Sequence, residues 1–254
     1  MSRNFELLQN LGKEGVLLDA DVPVEVVEAR QPVSDPVAKE PQVRLEPKER
    51  EELIKLAQRI FLVPGAETPR VVVFTATESG NGCSSICACT GALLASQVTG
   101  SVCLVDANLR NPALHKQFEV ENSSGLADAL RSSEPLLNFA RTMSAPNLWL
   151  VSGGSSPESS LPFLTSDRMR QRISELRSSV AYVLIDASAM NASHDAAALA
   201  AAADGMVMVL KANSSRRETV RKAVHDLQAA QVRVLGAVLN QRTFPIPESI
   251  YNRL

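Results

Sequence analysis

Six short apolar runs, separated by helix-like segments, constrain the fold of this chain more than any other feature. From Arg70 onward, runs of valine, leucine and isoleucine alternate with longer segments whose apolar residues recur at helical spacing. Near-continuous apolar runs are typical of strands covered on both faces, and alternation with helices implies right-handed crossovers between parallel strands. We therefore predict an α/β fold, a doubly wound and mainly parallel sheet with helices on both faces. The predicted strands are 71–75, 102–105, 148–152, 182–185, 205–210 and 232–239, and the predicted helices are 83–98, 124–132, 167–178, 195–203 and 216–229.

The first apolar run leads into a loop with the pattern of a phosphate-binding site. In the pattern G-x-x-x-x-G-K-[ST], glycines let backbone N–H groups wrap phosphates, the lysine reaches the outer phosphates, and the hydroxyl holds Mg²⁺. Here Gly82 and Ser84 keep the last glycine and the hydroxyl, whereas Ala76 replaces the first glycine and Cys83 replaces the lysine. The residues expected to contact a phosphate-bearing cofactor are Gly80, Asn81, Gly82, Cys83, Ser84 and Ser85.

Two further predicted strands end in a carboxylate. Asp106 follows the run at 102–105, and Asp186 follows the run at 182–185. At the carboxyl ends of buried parallel strands, such carboxylates face the same crevice as the phosphate loop, where they can hold Mg²⁺ or accept a proton. One such aspartate often only caps the next helix, but two of them beside the loop indicate a site. If the protein is active, we predict that Asp106 and Asp186 are its catalytic residues. If a nucleotide is bound, we predict that Ser84, Asp106 and Asp186 hold a Mg²⁺ ion.

Charge and hydropathy exclude several classes of function. The formal net charge is -2 and the pI is about 6.0, so the whole chain has no attraction to nucleic acid or to an anionic membrane surface. No apolar run approaches the ~20 residues that span a bilayer, and the N-terminus lacks the apolar core of a signal peptide. We therefore expect a cytoplasmic protein that binds no nucleic acid and does not insert into a membrane.

The four cysteines fit a reducing compartment. Cys83 would begin a predicted helix, where a thiol can have a lowered pKa, and Cys87 lies one turn further along. The simpler interpretation is that these residues pack as small apolar side chains among the alanines of that helix. Together with Cys89 and Cys103 they match no common zinc spacing, so we expect no metal–thiolate site.

The first 46 residues differ in composition from the rest of the chain. Prolines are scattered through them, charges are frequent and apolar periodicity is weak, which predicts a largely flexible extension over 1–46. A helix is predicted over 47–62, the α/β domain over 47–242 and a short tail over 243–254. Four residues near the start have the spacing of a short amphipathic helix that docks on a partner or on the domain itself: Phe5, Leu7, Leu8 and Leu11.

Several phrases, in their order along the chain, resemble one protein family. They are LVDANLRNPALH at 104–115, GLADAL at 125–130, SGG at 152–154, SDRM at 166–169, YVLID at 182–186, ADG at 203–205 and VLGAVLN at 234–240. With the loop, they resemble the bacterial tyrosine kinases (BY-kinases) of capsule and exopolysaccharide biosynthesis, within the wider MinD/ParA-type P-loop NTPase group. The resemblance covers Glu51 to about Arg242.

The resemblance implies a site for ATP or ADP with Mg²⁺. In that family the loop lysine and hydroxyl bind the nucleotide and the metal. Acids of the second and third motifs, which correspond to Asp106, Asn108 and Asp186, handle the metal and the tyrosine hydroxyl. An asparagine that matches Asn240 is expected near the adenine.

The chain departs from the family pattern at the positions that carry chemistry. The loop lysine is Cys83, so the Walker A motif is degenerate, and the second acid is the uncharged Asn108. The usual phrase Asp-Thr-Pro-Pro has become DASA at 186–189, and Tyr251 is the only tyrosine where the family has a C-terminal cluster. The family's self-association motif is a glutamate followed by two arginines at three-residue steps. Here these positions read Glu51, Ile54 and Ala57.

These departures favour a catalytically impaired regulator or adaptor, a BY-kinase-like pseudokinase, because phosphoryl transfer depends on the charge that the loop has lost. The resemblance implies a membrane polysaccharide co-polymerase or another polysaccharide-assembly protein as partner, peripheral location at the inner membrane through that partner, and self-association. The alternative is an active ATP-dependent tyrosine kinase that takes a lysine or arginine from elsewhere in the chain or from a partner. A MinD/ParA-like ATPase is least favoured, since Ala76 and Thr77 stand where that group has a bridging lysine.

Overall fold

The apolar runs form the strands of one sheet in a computed structural model, which describes residues 41, 45–63, 68–155 and 158–241, the side chains of 158–160 excepted. The strands are β1 (Val71–Ala76), β2 (Val102–Asp106), β3 (Arg141–Thr142), β4 (Leu148–Val151), β5 (Tyr182–Asp186), β6 (Gly205–Lys211) and β7 (Val234–Asn240). Their order is β3-β4-β2-β5-β1-β6-β7. The pair β3–β4 is antiparallel and the other pairs are parallel. The predicted doubly wound, mainly parallel sheet is confirmed.

Helices pack on both faces of this sheet. Within the described residues the α-helices are α1 (Pro47–Phe61), α2 (Cys83–Gln97), α3 (Leu114–Gln117), α4 (Leu126–Ala129), α5 (Asp167–Ser179), α6 (Asp195–Ala201) and α7 (Arg217–Ala229). Two further segments, Leu136–Phe139 and Glu158–Thr165, are 3₁₀ helices.

Successive side chains of a strand enter two separate cores. In β1, Val71 and Val73 join the core beneath α5 and α6, whereas Val72 and Phe74 join the core beneath α1 and α2. All six residues of β1 are buried, because helices cover both of its faces. This burial explains why its sequence is apolar without interruption.

The helix that follows the phosphate loop is apolar around most of its circumference. Nine residues of α2 are buried, since the helix packs on the sheet with one side and on α1 with another. The outer helix α1 is amphipathic, with Leu53, Ala57, Ile60 and Phe61 buried. It begins at Pro47, as predicted.

The strand order brings the loop after β1 and the ends of β2 and β5 together on one side of the sheet, at the carboxyl ends of the strands. β1 lies between β5 and β6, so the chain leaves β1 for one half of the sheet and later returns to build the other half. Ligands of doubly wound sheets bind at such a switch point, at the carboxyl ends of the strands. The last residues of β2 and β5, Asp106 and Asp186, are register partners at this edge.

The segment between β2 and β4 differs from the prediction. The helix predicted over 124–132 is the single turn α4, and α3 and the two-residue strand β3 were not predicted. Elements of two to four residues are too short to show a helical or alternating period in the sequence. β3 exists only because Arg141 and Thr142 meet β4 in the folded chain.

A close backbone contact explains two of the phrases noted in the sequence. The Leu126 N–H donates to the Ser152 carbonyl oxygen over 2.7 Å, and the Gly125 N–H donates to the Asp128 carboxylate over 3.0 Å. A side chain at position 125 would overlap the Ser152 carbonyl oxygen. The glycine therefore lets the start of α4 approach the end of β4.

The described residues contain no helix that is long and apolar enough to cross a membrane. The four apolar residues near the start of the chain and the tail over 243–254 lie outside the described residues, as does nearly all of the predicted extension. The proposed limits of the α/β domain, 47–242, therefore stay a prediction.

Candidate functional site

Two glycines shape the loop that connects β1 to α2. Gly80 has φ +85° and Gly82 has φ +82°, a left-handed backbone that residues with a side chain rarely adopt. Gly82 is also the N-cap residue of α2, and a Cβ there would overlap the Asn240 side-chain amide. The last glycine of the motif is thus required by both backbone conformation and space.

The loop leaves a row of backbone donors unused. Within the described part of the chain, the N–H groups from Gly80 to Ser85 make no hydrogen bond, and Ile86 is the first to donate, to the Gly82 carbonyl oxygen over 3.1 Å. These groups surround the N-terminus of the fifteen-residue helix α2. Free N–H groups and the positive end of a helix dipole together favour an anion such as phosphate.

The loop carbonyl groups are held from the opposite side by the end of β7. The Asn240 side-chain amide donates to the Asn81 carbonyl oxygen over 2.9 Å, and the Gln241 amide donates to the Gly80 carbonyl oxygen over 3.1 Å. The resemblance had suggested that Asn240 lies near an adenine. Its amide group fixes the loop, and an adenine contact stays a prediction.

Cys83 places a neutral thiol where the family has a charged lysine. It is the first residue of α2 and is partly exposed. Burial of the sulfur, and then the charge of Asp186, raise the pKa of the thiol well above its usual range. Burial likewise raises the pKa of Cys87 and Cys89. These shifts support the packing interpretation, since a reactive cysteine needs a lowered pKa.

Asp106 is engaged by the backbone of the segment that follows it. Its carboxylate accepts hydrogen bonds from the N–H groups of Ala113 (2.8 Å), Leu114 (2.9 Å) and Asn108 (3.2 Å). Burial, and then the charge of Asp186, raise the pKa of Asp106 to about 8 against the effect of these donors. Asp106 thus fixes the start of α3 as well as lying in the site.

Asp186 is a buried carboxylate that lacks hydrogen-bond partners within the described residues. Neither of its oxygens has a hydrogen-bond partner among the described residues. Burial raises its pKa to about 6. The Ser84 hydroxyl and the Cys83 thiol lie close enough to oppose that rise, although neither meets the geometry of a hydrogen bond to Asp186. Such a carboxylate needs a proton, a cation or a donor from a ligand.

Mg²⁺ fits this arrangement. Magnesium prefers oxygen ligands, keeps several waters and is usually bound by one or two carboxylates together with substrate phosphates. Asp186 offers unpartnered oxygens, and Ser84 offers a hydroxyl beside it. The described residues contain no cluster of three or more histidine, cysteine or acidic side chains that could hold a metal by themselves. A bound ion would therefore depend on phosphate oxygens and water.

An open cleft of about 300 Å³ is lined by the loop and by neighbours of these carboxylates such as Ala187 and Asn108. All six loop residues that were predicted to bind a cofactor line it, whereas Asp106, Asp186 and Asn240 are not among its lining residues and the two carboxylates are fully buried. The Asn108 side-chain oxygen accepts a hydrogen bond from the Ser188 hydroxyl over 3.1 Å. The other cleft residues include several that the sequence did not single out: Arg110, Asn111, Ala113, Gln117, Ala189 and Ala192.

The positions that match the family's self-association motif, Glu51, Ile54 and Ala57, make contacts within this chain. Ala57 is fully buried and Ile54 is partly buried against the core, so the places of the two arginines contribute to packing. Glu51 is exposed and pairs with Lys55 over 2.8 Å, one turn along α1. The structure therefore offers an apolar contact where the family motif has positive charge.

Comparison with known proteins identifies relatives of one kind. No family model matches the chain. It is 28% identical over 169 residues to the tyrosine-protein kinase YwqD of Bacillus subtilis, which covers 66% of the chain and 71% of that protein. It is 32% identical over 172 residues to the putative tyrosine-protein kinase EpsB of Ralstonia nicotianae, which covers 67% of the chain and 22% of that protein.

Solved structures share the same fold. The kinase domain of the Escherichia coli tyrosine kinase ETK superposes with a TM-score of 0.70 at 23% identity, over 78% of this chain and 79% of that one. The septum site-determining protein MinD of Pyrococcus horikoshii, complexed with Mg-ADP, gives a TM-score of 0.58 at 18% identity, over 72% and 76%. Together with the phrases, the sequence relatives show that the chain belongs to the BY-kinase family, and the solved structures show that it shares the fold of a BY-kinase domain and of MinD.

Proposed function

We propose that this protein is a catalytically impaired regulator or adaptor of capsule or exopolysaccharide biosynthesis that keeps the BY-kinase fold. The observation that carries the proposal is the neutral Cys83 thiol at the place of the loop lysine. It stands at the helix N-terminus, beside the Asp186 carboxylate and at the wall of the cleft.

The missing charge bears directly on phosphoryl transfer. That reaction proceeds almost entirely by positioning the substrates and by stabilising the charge on the migrating phosphoryl group. Removal of one group aimed at that charge costs several kcal/mol, roughly 10²-fold or more in rate. Asn108 supplies no second charge, and its amide oxygen is already paired with Ser188.

Nucleotide binding is less sensitive to the same loss. The N–H groups from Gly80 to Ser85 remain available, and they do not depend on side-chain identity. We propose that ATP or ADP binds in the cleft, weakly, and that Mg²⁺ is held by Ser84, Asp106 and Asp186 with the phosphates. Bound Mg²⁺ would neutralise phosphate charge, and the two aspartates would then bind as carboxylates.

We also propose that the protein acts through a partner. The resemblance suggests a membrane polysaccharide co-polymerase or another polysaccharide-assembly protein, which would hold this protein at the cytoplasmic side of the inner membrane. Self-association in the manner of the family is not favoured, since Ile54 and Ala57 replace the arginines of its motif and Ala57 is buried.

Calorimetry with a matched pair of lysine variants tests the proposal. Mg-ATP and Mg-ADP are titrated into the wild type, into Cys83→Lys and into Ser79→Lys, which adds the same charge at an exposed position of the cleft. We expect weak binding by the wild type, at least tenfold tighter ATP binding by Cys83→Lys, and a smaller gain by Ser79→Lys.

The same samples are incubated with Mg-ATP and a tyrosine-containing peptide, and phosphotyrosine is detected with an antibody. We expect no product from the wild type. Tight ATP binding together with phosphotyrosine formation by the wild type would overturn the proposal, because the thiol would then be compatible with catalysis.

A further inference from the structure

We propose that Arg110 is the cation that this cleft presents to the outer phosphate of a nucleoside triphosphate, in place of the missing loop lysine. This inference rests on the nucleotide cleft of the proposed function. It names the residue that would give the cleft a preference for triphosphates over diphosphates.

Arg110 is distinguished by its charge. Among the described residues that line the cleft, it is the one arginine or lysine, and Glu78 is the one acid. A cleft that binds a polyphosphate needs positive charge beyond what backbone N–H groups supply, particularly for the phosphate that lies furthest from them. Arg110 is the side chain placed to provide it.

The contacts of Arg110 leave its guanidinium available. Its side chain is 45% exposed, and its ion pair with Asp195 joins Nη2 to Oδ2 over 3.6 Å, which is longer than a hydrogen bond. The Asp195 side chain is only 12% exposed, and that Oδ2 atom has no hydrogen-bond partner among the described residues. A guanidinium has five donors in a planar fork that matches phosphate oxygens, and this loose pair commits few of them.

The strand order determines which phosphate Arg110 would meet. The loop follows β1, whereas Arg110 follows β2, and β5 lies between these strands. With about 4.8 Å between neighbouring strands, the ends of β1 and β2 are about 10 Å apart. The loop N–H groups would hold the phosphates nearest to β1. A guanidinium reaching in from β2 would meet the phosphate that extends past Asp186, and a diphosphate lacks that group.

Asp195 would then pair with Arg110 only while no phosphate is bound. When no phosphate is bound, the carboxylate keeps the guanidinium beside the cleft without a close hydrogen bond. A triphosphate competes with Asp195 for the same charge. Loss of the Asp195 charge should therefore free Arg110 for the ligand, whereas a purely structural salt bridge would show no such exchange.

Calorimetric titration of Mg-ATP and Mg-ADP into variant proteins tests this role. We expect Arg110→Ala, and Arg110→Gln as a second variant, to weaken ATP binding tenfold to about a hundredfold and ADP binding less than about threefold. Arg59→Ala removes the same charge from an exposed position of α1 outside the cleft lining and should change neither. Asp195→Asn should strengthen ATP binding only when Arg110 is present, so that the double variant Arg110→Ala/Asp195→Asn matches Arg110→Ala.

Three results would overturn the inference: no ATP binding by the wild type, equal losses for ATP and ADP in the Arg110 variants, or a gain from Asp195→Asn that persists without Arg110. Thermal unfolding of each variant shows that the protein remains folded at the titration temperature. The first result would also refute nucleotide binding in the proposed function, whereas the second and third would refute only the role of Arg110. Failure of the proposed catalytic impairment would appear separately, as phosphotyrosine formation by the wild type. The wild type could form phosphotyrosine although Arg110 confers no preference for triphosphates. It could also show that preference and form no phosphotyrosine.

Discussion

Replacement of Asp186 by asparagine should change the stability of the fold more favourably at pH 8 than at pH 3. Burial raises the pKa of Asp186 from 3.8 to about 6. Below the lower value both the folded and the unfolded chain hold the proton, so the carboxyl group adds no pH dependence. Between the two values the unfolded chain ionises first, and stability falls until the folded carboxyl group has also ionised.

The size of this effect follows from the interval between the two pKa values. At about 1.4 kcal/mol for each pH unit, the wild type loses about 3 kcal/mol of stability to this group by pH 8. Asparagine keeps the shape and removes the charge. Burial of the asparagine amide changes the stability equally at both pH values, so only the difference between the two stability changes reports on ionisation. For a domain of this size, about 3 kcal/mol corresponds to about 6–12 °C in melting temperature.

The assay is thermal unfolding of both proteins at pH 3 and pH 8, without nucleotide or metal. Asp204→Asn serves as a control of opposite sign. Burial raises the pKa of Asp204, but hydrogen bonds from the N–H groups of Val71 and Arg70 and from Arg177 lower it on balance. Its stabilisation is present above the unfolded pKa of 3.8 and is lost as pH falls below that value toward the lower folded pKa, so Asp204→Asn should destabilise at pH 8 more than at pH 3.

If Asp186→Asn shifts the melting temperature equally at the two pH values, burial does not raise the pKa of the Asp186 carboxyl group in the folded protein. The reasoning would also fail if both variants changed in the same direction with pH. A destabilisation that grows toward pH 8 in Asp186→Asn would point instead to an ionised Asp186 that stabilises the folded state.

Three further predictions concern packing and thiol chemistry. Gly125→Ala should lower stability by about 2 kcal/mol or more, because its Cβ would overlap the Ser152 carbonyl oxygen, whereas Gly236→Ala meets no atom within 4 Å and should unfold at nearly the wild-type urea concentration; equal midpoints for the two would contradict this packing. Leu94→Ala should lose about 2–5 kcal/mol in the same urea assay, since this side chain of α2 is fully buried in the core that α1 and α2 share with the sheet. A loss below about 1 kcal/mol would show that the neighbouring side chains fill the cavity. Cys83 should react with iodoacetamide at pH 7.5 more slowly than a cysteine in a short peptide, as followed by mass spectrometry, because burial raises its pKa; a faster reaction would restore the redox interpretation.

The central layout of the fold could be predicted because long, local patterns specify it. The strand predicted over 71–75 is β1, Val71–Ala76, and the helix predicted over 47–62 is α1, Pro47–Phe61. Buried parallel strands and an amphipathic outer helix leave clear apolar patterns. The segment between β2 and β4 could not be predicted in the same way, since β3 and α4 depend on contacts with β4.

The candidate site shows the same division. Gly82 and Ser84 were recognised from spacing alone, because the loop conformation is encoded within a few consecutive residues. Arg110 was not singled out, although it stands in a phrase that carries the family resemblance. Its place in the cleft depends on β5 lying between β1 and β2 and on the position of α6, which no local pattern records.

By itself, the sequence determined the α/β class, the strand–loop–helix unit and the absence of a charged residue at position 83. These properties depend on the order of neighbouring residues and on local backbone geometry. Only the tertiary structure decided that Asp106 and Asp186 are register partners and that both are buried from solvent. It also decided that backbone N–H groups donate to Asp106, whereas Asp186 has no hydrogen-bond donor among the described residues. The physical reason is that burial, charge coupling and competition for hydrogen bonds depend on which strands the folded sheet makes neighbours.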